Sequence, residues 1–176
     1  MESQSPSATG YSIWLMPAGT VYDALREQIS DLSREFGTPT FEPHVTLMGG
    51  LEGKEHDVAA STARLAGIVR PYRIILRGAA QTDYYFRCVF STADKEDEVM
   101  DANRAAKEVF GRHDDAPYMP HLSLVYGNLP EETRNALVAK FDDLVAEFPV
   151  DRLHLFRTEG IVPQWRKVDE FALSDV

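Results

Sequence analysis

The sequence predicts an α+β fold in which helices pack on mainly antiparallel sheet. Strand-like and helix-like runs interleave along the 176 residues. The spacers between strands are mixed, some helix-sized and others hairpin-sized. A doubly wound parallel sheet would need a long crossover at every step. A ten-residue pattern is also written twice, FEPHVTLMGG at 41–50 and YMPHLSLVYG at 118–127, 77 positions apart. Each copy runs aromatic, any residue, Pro, His, aliphatic, Thr or Ser, Leu, two more, Gly.

The elements follow in order. YSIWLMP at 11–17 reads as a strand stopped by Pro17. Leu25, Ile29, Leu32 and Phe36 recur at helical spacing over 21–36, with Thr20 as expected N-cap and Gly37 as stop. The first copy of the pattern is a strand. A helix over about 54–69 ends before Pro71. YRIILRGAAQ and YYFRCVF form a hairpin that turns near Thr82 and Asp83. The stretch 94–112 is a helix with acids early and bases late, as its dipole favours. The second copy is again a strand. Pro130 opens a helix expected to reach Glu147. RLHLFRTEG and KVDEFALS close the chain as strands. The count is about four helices and seven strands.

Composition narrows the function. The apolar fraction of 44% and charged fraction of 26% are those of a globular domain with a full core. Residues 1–10 read as a disordered lead-in, and 11–176 as a single domain. The lead-in has neither the basic start nor the apolar run of a secretory signal. No apolar run is long enough for a spanning helix, so no membrane partner is expected. A net charge of −10 argues against gripping a long nucleic acid. The single cysteine, Cys88, fits a reducing compartment, and a cytoplasmic location is expected. Its apolar setting marks a buried structural thiol and not a nucleophile.

The twin pattern carries the chemistry. In a strand, residues two apart share a face. His44 and Thr46 therefore lie together, with Val45 and Leu47 on the opposite, apolar face. His121 and Ser123 repeat this, with Leu122 and Leu124 behind them. Brought side by side about a pseudo-twofold axis, the strands offer two imidazoles and two hydroxyls to one cleft. Displacement at phosphorus needs a base for the incoming oxygen and an acid for the leaving one. Hydroxyls can donate to the phosphoryl oxygens. Two titrating imidazoles make a metal unnecessary. Which histidine is acid and which is base is not readable at this level.

Other features read more plainly. His56, His113 and His154 are solvated or satisfied histidines. No HExxH, second cysteine, Walker loop or GxGxxG is present, so neither metal nor cofactor is expected. Asp114 and Asp115 belong to a polar loop. Tyr84, Tyr85, Phe86 and Trp165 could stack a base, but core packing explains such runs as well.

Paired Pro-His-x-Thr/Ser strands resemble the two-histidine phosphoesterase superfamily. Within it the chain is most similar to the plant and fungal cyclic phosphodiesterases. The shared stretches are YSIWLMP, PHVTL, YYFRCVF, PHLSLVYG and Trp165 to Val168. The resemblance implies two related lobes, each with an antiparallel sheet flanked by helices, and one motif from each in the cleft between them. It implies metal-independent opening of ADP-ribose 1″,2″-cyclic phosphate or nucleoside 2′,3′-cyclic phosphates. His44 and His121 would be acid and base, Thr46 and Ser123 phosphate donors, and Tyr126 part of the site wall.

The expected partner is thus a small cyclic-phosphate nucleotide, bound by a monomer. Two alternatives stand beside it. RNA-end processing at a terminal 2′,3′-cyclic phosphate would require a local basic groove. A binding module would hold a phosphorylated ligand without turnover.

Overall fold

The computed structural model describes residues 5–175. Its strands are β1 (Tyr11–Leu15), β2 (Val45–Leu51), β3 (Tyr72–Gln81), β4 (Val89–Ala93), β5 (His121–Val125), β6 (Val145–Val150), β7 (Arg152–Arg157) and β8 (Arg166–Ala172). The helices are α1 (Gly19–Phe36), α2 (Glu55–Ala66), α3 (Asp97–Phe110) and α4 (Glu131–Lys140). The strands form one sheet in the order β6-β3-β4-β5-β2-β1-β7-β8, and neighbouring strands run antiparallel.

The α+β class therefore holds, but the expected pair of separate sheets is a single sheet. Its two four-stranded halves meet at a narrow seam, where β2 and β5 pair only at Val45 and Leu122. The helices close that seam by crossing it: α1 packs on β5, and α3 packs on β2. Asn103 of α3 is buried and donates from Nδ2 to the Leu47 carbonyl at 2.9 Å. Behind the seam, Val45, Leu47, Leu122 and Leu124 are all buried. Each such aliphatic contributes about 1.5–3 kcal/mol on leaving water. That apolar layer joins the halves where the ladder is thin.

The internal echo extends well beyond the two ten-residue copies. β1-α1-β2 and β4-α3-β5 are the same strand–helix–strand unit, and each unit's strands pair antiparallel. Both helices stop at a glycine in the left-handed region, Gly37 at φ 63° and Gly111 at φ 65°. A side chain there would be strained, so both stops call for glycine.

Several boundaries differ from expectation. α1 starts after Ala18, in extended conformation, with no side-chain cap from Thr20. α4 ends at Lys140, and the expected continuation to Glu147 is instead the start of β6. Phe148 and Val150 bury one face of β6 against the core, and tertiary packing overrides the helical reading. β6 is an edge strand, which is where Pro149 is tolerated. In YYFRCVF, Tyr85–Arg87 form a 3₁₀ turn and the strand begins at Val89. Cys88 is fully buried, and burial pushes its thiol pKa up.

Of the lead-in, residues 1–4 lie outside the described residues. Further on, Ala8 makes an antiparallel bridge with Gly160. No helix among the described residues is long and apolar enough to cross a membrane.

Candidate active site

The seam positions the twin pattern. With Val45 across from Leu122 in antiparallel register, position 44 lies across from 123, and 46 across from 121. Each histidine therefore sits opposite the hydroxyl residue of the other copy. His44, Thr46, His121, Ser123 and Tyr126 all line one cleft of about 450 Å³.

Each imidazole is aimed by its own proline. His44 Nδ1 lies 2.6 Å from the Glu42 carbonyl, and His121 Nδ1 lies 2.8 Å from the Met119 carbonyl. In both cases Nδ1–H donates to the oxygen two residues back, across Pro43 or Pro120. The locked φ of proline shapes that short turn. The bond fixes the tautomer, so Nε2 is left to give or take a proton. This is the physical reason for Pro-His in both copies.

The surroundings then diverge. Trp14 lies across from Thr46 in the β1–β2 ladder, and Phe90 across from Ser123 in the β4–β5 ladder. Trp14 stacks flat on His44, with centroids 3.6 Å apart and planes 8° apart. Phe90 meets His121 edge-on at 5.1 Å and 65°. His44 is 6% exposed, and burial is the main force holding its pKa down to about 3. The Glu42 carbonyl opposes this, and His121 adds to it. The His121 pKa is also lowered, first by burial and then by Arg87, against the Met119 carbonyl. Both imidazoles are thus neutral at pH 7 in the free protein, His44 the more firmly.

The hydroxyls differ as well. Ser123 Oγ donates to the Phe86 carbonyl at 2.9 Å. The Thr46 side chain has no such carbonyl partner among the described residues, while its backbone carbonyl accepts from the Tyr118 hydroxyl at 2.9 Å. Only Thr46 holds its donor uncommitted. Tyr126 is 3% exposed, stacks on Phe41 at 3.7 Å, and keeps its proton because burial raises its pKa.

Sequence reasoning did not single out Trp14, Arg87, Ser12 or Thr158, yet all four line the cleft. The recurrence of an aromatic 30 or 31 residues before each histidine, Trp14 and Phe90, was a usable signal for the first. Tyr84, Phe86 and Trp165 also reach the cleft, and Tyr85 does not line it. Ser7, Ala8 and Thr9 complete its rim. The other histidines stay outside: His56 faces Asp57, His113 faces Glu108, and His154 faces Glu170. Among the described residues, no group of three or more His, Cys, Asp or Glu side chains is placed to hold a metal ion.

Residues 21–161 match the family described as the 2′-5′ RNA ligase superfamily. The chain belongs to that family, the two-histidine phosphoesterase grouping to which its twin pattern points. It is 28% identical over 156 residues to the cyclic phosphodiesterase of Arabidopsis thaliana, covering 85% of each chain. In fold it is similar to Escherichia coli LigT, with a TM-score of 0.64 at 17% identity, covering 97% of this chain and 100% of that one. It is also similar to TT0787 of Thermus thermophilus, with a TM-score of 0.63 at 22% identity and coverages of 94% and 98%.

Proposed function

We propose that the protein is a metal-independent cyclic phosphodiesterase that opens a small ribose cyclic phosphate. ADP-ribose 1″,2″-cyclic phosphate and nucleoside 2′,3′-cyclic phosphates are the substrates of choice. The observation that carries this reading is the pair of imidazoles, each tied through Nδ1 to a carbonyl and each lining the same cleft. The Arabidopsis relative's name supports the reaction class.

The step balances with two proton transfers. A water oxygen attacks phosphorus, and its proton passes to one Nε2. The bond from phosphorus to one ribose oxygen breaks, and that oxygen takes a proton from the other Nε2. The product is a ribose phosphate monoester. His44 is the base, because burial keeps it neutral, and a His121 charged by the bound phosphate anion would help keep it so. His121, less deeply buried, is the acid. The Thr46 hydroxyl donates to a phosphoryl oxygen, where charge builds. Ser123 serves the same oxygens only after releasing the Phe86 carbonyl. Tyr126 bounds the pocket beside them. The protein acts as a monomer.

A panel of cyclic phosphates assayed with chelator present tests this. Turnover of at least one member, lost on removing either imidazole, is the expected result. No turnover of any member would leave a phosphate-binding module in its place.

A further inference from the structure

Of the two cleft hydroxyls, Ser123 is aimed by its bond to the Phe86 carbonyl at 2.9 Å. Thr46 must be aimed in another way. Its β-branched side chain is restricted at χ1, so Oγ1 goes where the backbone puts it. That stretch of backbone is thinly held, because β2 and β5 pair only at Val45 and Leu122. One residue further along β2, a side chain takes over from the ladder. The Tyr118 hydroxyl donates to the Thr46 carbonyl at 2.9 Å, across 72 positions of sequence. We propose that Tyr118 is a positioning residue, whose hydroxyl sets the Thr46 donor at the phosphate and fixes its place relative to His121. The role of Thr46 on which this depends rests on the proposed function.

Three observations support it. The bond is made from beside the second histidine. Tyr118 adjoins Met119, whose carbonyl accepts from His121 Nδ1 at 2.8 Å. The short segment 118–121 thus holds both the His121 ring and the strand that carries Thr46, two residues that lie across from each other in register. The Tyr118 hydroxyl also stays a donor. Burial is the main force raising its pKa well above the ordinary tyrosine value, and Tyr72 adds to it. Finally, the bond is one-sided. Phe41 precedes His44 by three residues, as Tyr118 precedes His121. It stacks on Tyr126 at 3.7 Å and has no hydroxyl to give. The hydroxyl opposite His44 is that of Ser123, which the Phe86 carbonyl already holds. The extra tie falls on the copy whose hydroxyl lacks a carbonyl partner.

The test is a double-mutant cycle. Tyr118→Phe removes only the hydroxyl. It should lower kcat about tenfold or more with KM little changed, since misplacement by about 1 Å can cost about 10²-fold. In a Thr46→Val background the same change should cost less than about threefold, because the group to be positioned is gone. Tyr72→Phe is the control for a purely structural effect. Tyr72 is buried and its hydroxyl has no hydrogen-bond partner, so its loss should leave kcat at the wild-type value. A second readout needs no turnover. Uridine 3′-monophosphate, titrated by calorimetry, should bind more weakly to Tyr118→Phe than to wild type, and equally to Thr46→Val with and without the Tyr118 change. Wild-type kcat in Tyr118→Phe, or losses that are additive with those of Thr46→Val, overturns the positioning role. A protein that shows the coupling in binding but opens no cyclic phosphate would instead overturn the proposed reaction and keep the positioning role. A protein that neither opens a cyclic phosphate nor binds the monophosphate overturns both.

Discussion

The two copies of the pattern share a backbone and differ in what covers them. His44 lies under the flat face of Trp14, and His121 meets only the edge of Phe90. Thr46 keeps its hydroxyl uncommitted, while Ser123 gives its proton to the Phe86 carbonyl. Gly49 follows the first histidine by five residues where Tyr126 follows the second. A side-chain carbon at Gly49 would come within 3.2 Å of Ser12 Oγ, a tight contact that Ser12 would have to relieve by a few tenths of an ångström. Duplication thus sets the positions of two like groups. In the proposed reaction, their unlike surroundings are what separate the base from the acid.

Removing either imidazole should break the pair most severely. His44→Ala and His121→Ala should each lower kcat by about 10²–10⁴-fold with the fold retained by circular dichroism. Near-wild-type turnover in either variant would end the paired mechanism. The roles separate with a substrate whose leaving group needs no acid, such as a nitrophenyl phosphodiester. His121→Ala should recover a much larger share of wild-type activity on it than His44→Ala does. Equal recovery would erase the assigned asymmetry.

Thr46→Val should cost up to about 10²–10³-fold in kcat, since it removes the one uncommitted hydroxyl donor of the pair. Ser123→Ala should cost far less, because its proton is already held elsewhere. Equal losses would show that Ser123 turns to the substrate on binding.

The pH profile is the next effect in size. Both imidazole pKa values lie below the ordinary 6.5 in the free protein. The reaction needs one imidazole charged, so kcat/KM should fall as pH rises through the lowered His121 value, below 6.5. A bound phosphate anion favours the charged imidazole and should move the corresponding limb of kcat upward. Identical upper limbs in kcat and kcat/KM would mean that the anion does not reach His121. Trp14→Leu should raise the His44 pKa above its value of about 3, read by NMR titration of the ring. Folding is linked in the same direction. Below 6.5 the unfolded chain takes up a proton that folded His44 refuses until about 3, so stability should decline across that window. The smallest expected effect is that of EDTA, which should leave turnover unchanged. Loss on chelation, restored by zinc or manganese, would move the chemistry to a metal.

The twin pattern and the faces its residues share were legible because strand alternation is strictly local. From it follow the shared face of His44 and Thr46, that of His121 and Ser123, and the apolar faces behind them. Glycine stops and acidic helix starts were legible for the same reason, and Gly37 ends α1 where its neighbours indicate. Other features depended on partners distant in the chain. Whether Val145–Val150 is helix or strand turns on β3 waiting beside it, and residues 130–147 alone favour a helix. The joining of two halves into one sheet turns on helices that cross the seam and on the Asn103 bond to Leu47. The placing of each histidine opposite the other copy's hydroxyl turns on the Val45–Leu122 register. So does the difference between the imidazoles, because desolvation depends on which ring a third strand brings down upon each. Short-range stereochemistry sufficed to name the candidate groups, whereas their register, burial and charge are properties of contacts made between residues far apart in sequence.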